Sequence, residues 1–417
     1  MSINFFKGYA SNELFPTKEM EESYKKVIHV DLKPFDDDKN NQNPLNYGTD
    51  PGNLTTRKEI SKFMNQYFDR PASDPDCFNL TNGASFGMGM ILNKCTKKEY
   101  TERVFIVSPC YYLANFCFLD YGYKDQIKSI NETPGGEYEI DLKALENELK
   151  VVGEFGEEFY HDPLRGKERI YKSIIYIVPS YSNPGGLTYS MKTRTKLIEL
   201  ARKYNMLIIC DDVYDLLTYD NVVLPRLVYM DRDTTNDEYG NVVSNSSTSK
   251  ILAPGLRFGW HETATPKLAT QLSQEGCVKS GGTPSQLNSC VVENLMATGE
   301  LSKIVDNYKS HYNERAKVMI DCILKYLPED TKYYGGGGGY FVWTQFNDKY
   351  DIPKMIDDLG EKGVILAGGN NFEVYNNTQG WNNCIRLCLS FLTSEQIVEG
   401  FKIWSELFED HKYIKVT

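Results

Sequence analysis

Three short runs in the middle of the chain constrain its fold more than any other feature of its 417 residues. Val104–Val107, Ile174–Val178 and Leu207–Cys210 are continuously apolar, rich in β-branched residues, and each is followed by Pro, Ser or Asp. A strand that faces water on one side alternates apolar and polar residues. A strand with no polar side must be covered on both faces. Between the last two runs, Lys192–Tyr204 places Leu197, Ile198 and Ala201 on one helical face. Strand, helix and strand in that order predict parallel pairing through a crossover helix, and so an α/β domain with helices on both sides of its sheet.

The flanking segments extend this reading. From Thr55 the pattern is helical through Ile60, Phe63, Met64 and Tyr67. Thr81-Asn-Gly-Ala-Ser85 reads as a turn that opens a buried helix at Phe86–Leu92. A long helical pattern covers Asn307–Leu327. The five glycines Gly335–Gly339 lead into Tyr340-Phe-Val-Trp343, a turn feeding a strand, with a flexible linker as the competing reading. Ile385–Leu389 reads as a further strand, so the tail is expected to form a smaller α+β domain. Residues 153–169 and Asp231–Asn245 read as exposed polar excursions, and Asp36-Asp37-Asp38 as a solvated loop.

Charge and composition exclude several function classes. Lys and Arg total 46 against 57 Asp and Glu, a formal charge of −11 that argues against a nucleic-acid surface. No run approaches ~18 apolar residues, and the N-terminus has no secretory apolar region, so no membrane segment is expected and the address is read as cytoplasmic. The ten cysteines form no Cys-x-x-Cys pair and are expected to be reduced thiols. The five histidines lack ligand spacing, and no metal site is expected.

The chemistry concentrates in Ser247-Thr-Ser-Lys250-Ile-Leu-Ala-Pro-Gly-Leu-Arg257-Phe-Gly-Trp260. A lysine between small hydroxyl residues and an apolar run is desolvated, which lowers its pKa and frees its amine to attack an aldehyde. Ser247 and Ser249 can donate hydroxyl hydrogen bonds to a phosphate, and Arg257 adds a permanent charge with two parallel donors. Such a site suits an aldehyde-bearing phosphate ester. Asp211 ends an apolar strand, at the carboxyl edge where ligands of parallel sheets collect. Asp212 competes for the same role.

These residues resemble the class I/II aminotransferases of pyridoxal-phosphate (PLP) fold type I. The likeness extends through Tyr47-Gly-Thr-Asp-Pro-Gly52 to Arg57, Thr81-Asn-Gly-Ala-Ser85, Pro109-Cys-Tyr111, Asn183-Pro-Gly-Gly186 (with Gly185 where the family usually has Thr), Asp211-Asp-Val-Tyr214, the Lys250 stretch and Ile385-Arg386-Leu. The motifs stand in family order over roughly residues 45–390. The resemblance implies a large domain with a mostly parallel seven-stranded sheet flanked by helices, at 46–290. It also implies a smaller α+β domain at 291–417, joined by an arm at 1–45.

The resemblance further implies the site roles. Lys250 is the Schiff-base lysine and general base. Gly83, Ala84, Ser85, Ser247, Ser249 and Arg257 hold the phosphate. Tyr111 stacks on the ring in preference to Tyr112, Asp211 pairs with the ring nitrogen, and Asn183 and Tyr214 bind the phenolic oxygen. Arg386, with Asn183, binds the substrate carboxylate. Tyr47 reaches the phosphate of a second subunit, which implies a homodimer with shared sites. The implied activity moves an amino group from an amino acid, of the 2-aminoadipate or aromatic type, to a 2-oxo acid. Another fold type I chemistry, such as a carbon–sulfur lyase or deaminase, is the alternative. Phe5, Phe6, Tyr9, Leu14 and Phe15 are expected to cover the site and select the side chain.

Overall fold

The computed structural model describes residues 2–29, 42–154, 158–219, 222–283, 285–375, 380–408 and 413–415; the acidic run at 36–38 lies outside them. Seven strands form the main sheet: β1 (Phe78–Thr81), β2 (Arg103–Ser108), β3 (Ile127–Asn131), β4 (Ser173–Ile177), β5 (Met206–Asp211), β6 (Val242–Ser247) and β7 (Gly259–Thr263). Their spatial order is β1-β7-β6-β5-β4-β2-β3. Every pairing from β6 across to β3 is parallel; β7 runs antiparallel to both its neighbours. This is a mostly parallel sheet flanked by helices, as the resemblance implies.

The three apolar runs are β2, β4 and β5, each buried along almost its whole length. Their alternate side chains enter two separate apolar clusters, one on each face of the sheet. Ile174, Leu207 and Ile209 belong to one, and Ile175, Ile208 and Cys210 to the other. The crossover helix is Met191–Lys203, capped by the Ser190 side chain on the Thr193 amide.

Two polar segments differ from the sequence reading. Asp231–Asn245 is not a loop: it contains the end of the helix Leu227–Thr234 and most of β6, a fully buried strand in the middle of the sheet. Its polar side chains escape water because each has a partner. Arg226 Nη2 donates to Ser244 and Ser246, and Asn245 Nδ2 donates to the Ala84 carbonyl at 2.9 Å. Residues 158–170 form a hairpin whose tip is exposed as expected, with Tyr160 and Leu164 in solvent, but its second strand ends buried, and Glu168 is held there in an ion pair with Lys94.

The smaller sheet is antiparallel, in the order Lys332–Gly335, Phe341–Gln345, Cys384–Cys388, Ala367–Gly368. The glycine run is the turn of its first hairpin. Gly335 and Gly336 adopt φ of 97° and 92°, reached cheaply only without a Cβ. Gly338 lies against the Tyr181 ring, where a Cβ has no room. The 27-residue helix Glu300–Tyr326 packs on Ser394–Phe408 beside this sheet. The N-terminal arm is tied here too: Ile3–Asn4 pairs in parallel with Val364–Ile365, and Phe5 is fully buried, edge-on to Phe401. Among the described residues no helix is long and apolar enough to cross a membrane.

Candidate active site

Strand direction gathers the site. β1, β2, β4, β5 and β6 all point the same way, so the segments leaving their carboxyl ends emerge at one edge. Those segments carry Gly83–Ser85, Tyr111, Asn183, Asp211 with Tyr214, and Ser247–Lys250. They line one cavity of about 620 Å³, closed from the other side by Arg386 and Phe341 of the small sheet and by arm residues 6–10. This is the size of a pocket for a cofactor plus a small substrate.

Lys250 is half-buried, and its Nζ donates to the Gly8 carbonyl at 2.8 Å. The amine stands over the Tyr340 and Tyr214 rings, 5.2 and 6.0 Å from their centres. Burial holds its pKa at about 8, outweighing an upward pull from Cys388; the Arg386 charge lowers it further and Asp211 raises it slightly. The Tyr340 hydroxyl donates to the Lys250 carbonyl at 3.0 Å and fixes the backbone beneath the amine.

Asp211 and Asp212 part company at the end of β5. Asp212 turns away from the cavity, accepting from Ser244 Oγ at 2.5 Å and pairing with buried Arg226. Asp211 faces the cavity. Its Oδ2 accepts from Tyr176 Oη at 2.6 Å, while its shielded Oδ1 has no hydrogen-bond partner among the described residues. Burial lifts its pKa to about 6 even though the Tyr176 bond opposes the shift. Tyr176 has no signal in the sequence beyond strand alternation: it pairs with Ile209, two residues before Asp211, and so shares that residue's face.

At the far end of the cavity Gly83, with φ of 90°, caps the helix Ala84–Cys95, whose first amides point outward. A Cβ at Gly83 would come 2.9 Å from Arg257 Nη2. Arg257 is exposed and sits in the left-handed region, φ 49°. That turn directs its guanidinium back to Ser249 Oγ and the Asn82 carbonyl, each at 3.5 Å. The Ser247 and Ser249 hydroxyls lie 2.8 Å apart. Two serines, a guanidinium and a helix N-terminus thus make an anion cradle.

Arg386 is 4% exposed, and among the described residues no carboxylate pairs with it. Its Nη1 donates to Asn183 Oδ1 at 2.8 Å, its Nη2 to the Phe6 carbonyl at 2.6 Å, and its Nε to no acceptor among the described residues. The Phe341 and Phe372 rings lie 4.3 and 4.5 Å from the guanidinium carbon. A buried guanidinium without a carboxylate is costly unless it awaits one. Tyr111 and Tyr112 both line the cavity; burial and the Asp211 charge push the Tyr111 phenol up to about 12.

Some expected residues lie elsewhere. Tyr47 is 74% exposed and lies outside the cavity lining. Of the five arm residues, Phe6 and Tyr9 line the cavity, while Phe5 and Leu14 belong to the apolar core and Phe15 does not reach the site. No pattern in the sequence marks Lys7, Gly8 or Phe341 as site residues, nor the two arm carbonyls bonded to its lysine and arginine.

The comparisons with known proteins agree. The family model for aminotransferase class I and II matches residues 15–402. An uncharacterized protein of Saccharomyces cerevisiae is 39% identical over 98% of this chain and 97% of its own. The aromatic-amino-acid aminotransferase 1 of Thermococcus litoralis is 26% identical, covering 98% of this chain and 88% of its own. The crystal structure of a multiple substrate aminotransferase from Thermococcus profundus superposes with a TM-score of 0.78 at 24% identity, over 98% of this chain and 91% of that one. With its sheet, its cavity and its motif order, the chain belongs to the class I and II aminotransferases and is a pyridoxal-phosphate-dependent transferase.

Proposed function

We propose that the protein moves the amino group of an aromatic or 2-aminoadipate-type amino acid to a 2-oxo acid, with Lys250 holding the cofactor and shuttling the α-proton. The observation that carries this is one cavity containing a depressed amine, a carboxylate oxygen with no donor among the described residues, and a buried guanidinium with no carboxylate among them.

The residues fit pyridoxal phosphate. The unpartnered Asp211 Oδ1 matches a protonated ring nitrogen. Ala84, Ser85, Ser247, Ser249 and Arg257, beside Gly83, match a phosphate dianion. Tyr111 would cover the ring face, and Tyr214 and Asn183 would meet the phenolic oxygen. Asn183 Oδ1 accepts from Arg386, which leaves its amide hydrogens to donate. Lys250 would hold the aldehyde. When bound, the group supplies an electron-withdrawing ring that acidifies the substrate's α-carbon.

The chain's own residues do the rest. Arg386 binds the α-carboxylate with a two-pronged pair, displacing the Phe6 carbonyl from Nη2. Lys250 then accepts the α-proton at Nζ; with its pKa near 8 rather than 10.5, far more of the amine is unprotonated near neutral pH and able to act as the base. Release of Nζ from the Gly8 carbonyl frees the amine for this. Phe6, Tyr9, Tyr112 and Leu113 form an apolar wall for the substrate side chain. Lys7, a further cation on the cavity wall, suits a distal carboxylate.

Residues 46–290 are kept as the cofactor-binding unit, with 1–45 and 291–417 as the smaller one; the cut falls inside the helix Gln286–Ala297. Exposed Leu45 and Tyr47 support a homodimer in which Tyr47 serves the neighbouring site. The composition supports a cytoplasmic address.

A donor panel with 2-oxoglutarate as acceptor tests the reading. Phenylalanine, tyrosine, tryptophan and 2-aminoadipate should give the highest kcat/KM, with glutamate as product. Release of 2-oxo acid from the donor at the same rate without any acceptor would refute transamination and point to lyase or deaminase chemistry. Sedimentation of the holoenzyme as a monomer at micromolar concentration would remove the shared site.

A further inference from the structure

Gly185 is where the chain departs from the family's Asn-Pro-Thr-Gly pattern, and the structure shows what stands in its place. A Cβ at Gly185 would fall inside the contact radius of Glu132 Oε2, and 3.0 Å from Ser182 Oγ. Glu132 directly follows β3. Its amide donates to the Ser108 carbonyl at 2.7 Å, and its carboxyl group lies against Gly185 in the 182–187 turn. The residue is 5% exposed, and no cation pairs with it among the described residues.

That turn is closed by three bonds. Ser182 N donates to the Leu187 carbonyl at 2.8 Å, Gly186 N to the Ser182 carbonyl at 2.7 Å, and Leu187 N to Ser182 Oγ at 3.1 Å. Asn183 sits within it and meets Arg386 Nη1 at 2.8 Å. A small cavity joins Glu132, Ser182, Asn183 and Tyr111, so the carboxyl group and the main cavity share walls.

We propose that Glu132 is a positioning residue: its side chain fills the place that a side chain at 185 would take, braces the 182–187 turn, and so fixes Asn183 and the Arg386 guanidinium toward the substrate carboxylate. This rests on Arg386 as the carboxylate binder.

The state of Glu132 follows from its surroundings. Among the described residues the titratable groups that share its small cavity are Cys110, Tyr111, Tyr176 and Tyr189, all raised by burial and neutral at physiological pH. Burial lifts Glu132 to about 8, against a smaller opposing hydrogen bond from Ser182. It therefore stands as the neutral acid at pH 7. Because its folded value lies above its ordinary 4.5, it stabilises the fold fully below about 4.5, and that contribution is lost as pH rises through 8.

A double-mutant cycle tests the proposal, read by KM for phenylalanine and 2-oxoglutarate in the holoenzyme and by the melting temperature of the cofactor-free protein. Glu132→Ala should raise both KM values about tenfold with kcat within about twofold, the scale of one coupling between neighbours. Gly185→Thr alone should do the same or worse, and Glu132→Ala with Gly185→Thr together should recover most of both KM and melting temperature. Glu132→Gln should match wild type at pH 7 and keep its low KM at pH 9, where wild type loses it. Its melting temperature should also lack the wild-type decline between pH 4.5 and 8.

Additive losses in the cycle, or a Glu132→Gln variant as impaired as Glu132→Ala, overturn the proposal. An Arg386→Ala variant with unchanged KM instead overturns the carboxylate reading of Arg386, while the melting-temperature cycle still reports on Glu132 by itself.

Discussion

Replacing Lys250 by methionine should stop turnover and at the same time stabilise the cofactor-free protein. Methionine has nearly the length of lysine without its charge. In the wild type, burial holds the amine at about 8 against an ordinary 10.5. At about 1.4 kcal/mol per tenfold, that depression costs the fold at most about 3 kcal/mol while the unfolded chain is protonated. The side chain keeps some solvent contact, which screens the effect. Losing the bond to the Gly8 carbonyl gives back about 1 kcal/mol. The net gain is then ~1–2 kcal/mol at pH 7, or ~1–2 °C in melting temperature if the unfolding entropy is about 2.1 cal/mol/K per residue.

The sign with pH is fixed. A lysine with a lowered folded pKa binds fewer protons folded than unfolded between about 8 and 10.5, so wild-type stability rises across that window. The advantage of Lys250→Met should be full below pH 8 and fade towards pH 10.5. Calorimetry of both cofactor-free proteins from pH 6.5 to 10.5, beside absorbance at ~410–430 nm after cofactor addition, measures this. A methionine variant that is less stable than wild type at pH 7, or one whose advantage does not change with pH, would refute the buried-amine argument. Turnover at the wild-type rate would refute the catalytic one.

Three further outcomes are expected. Arg386→Ala removes two charged hydrogen bonds at about 1.5–3 kcal/mol each and should lower kcat/KM by about 10²–10⁴-fold; Arg386→Lys should keep only part of the loss away, since one ammonium cannot make the two-pronged pair. Asp211→Asn should weaken pyridoxal phosphate binding, read by absorbance titration, and lower kcat by roughly 10²–10³-fold. It should also stabilise the cofactor-free protein above pH 6, because the raised Asp211 pKa costs the fold stability as pH climbs from 3.8 through about 6. Lys7→Gln should raise KM for 2-aminoadipate about fivefold, as for one exposed ion pair, and leave phenylalanine unaffected; equal changes for both donors would remove Lys7 from substrate selection.

The sequence by itself determined the parts of this protein whose physics is local. Val104–Val107, Ile174–Val178 and Leu207–Cys210 had to be doubly covered strands because nothing in them tolerates water. Lys250, Arg257 and the serines lie within eleven residues of one another, so their chemistry was visible as one word. Asp211 was legible as a strand-end carboxylate.

What only the tertiary structure decided are interactions whose partners lie far apart in the chain. β6 reads as a polar loop because Ser244, Asn245 and Ser246 are satisfied by Arg226 and by the Ala84 carbonyl, which no local pattern shows. The arm meets Lys250 and Arg386 through the backbone carbonyls of Gly8 and Phe6, and a carbonyl leaves no trace in residue identity. Glu132 and Gly185 explain each other only when the 52 residues between them fold back. Periodicity records where water is excluded along a segment; which distant group replaces that water is settled only when the segments meet.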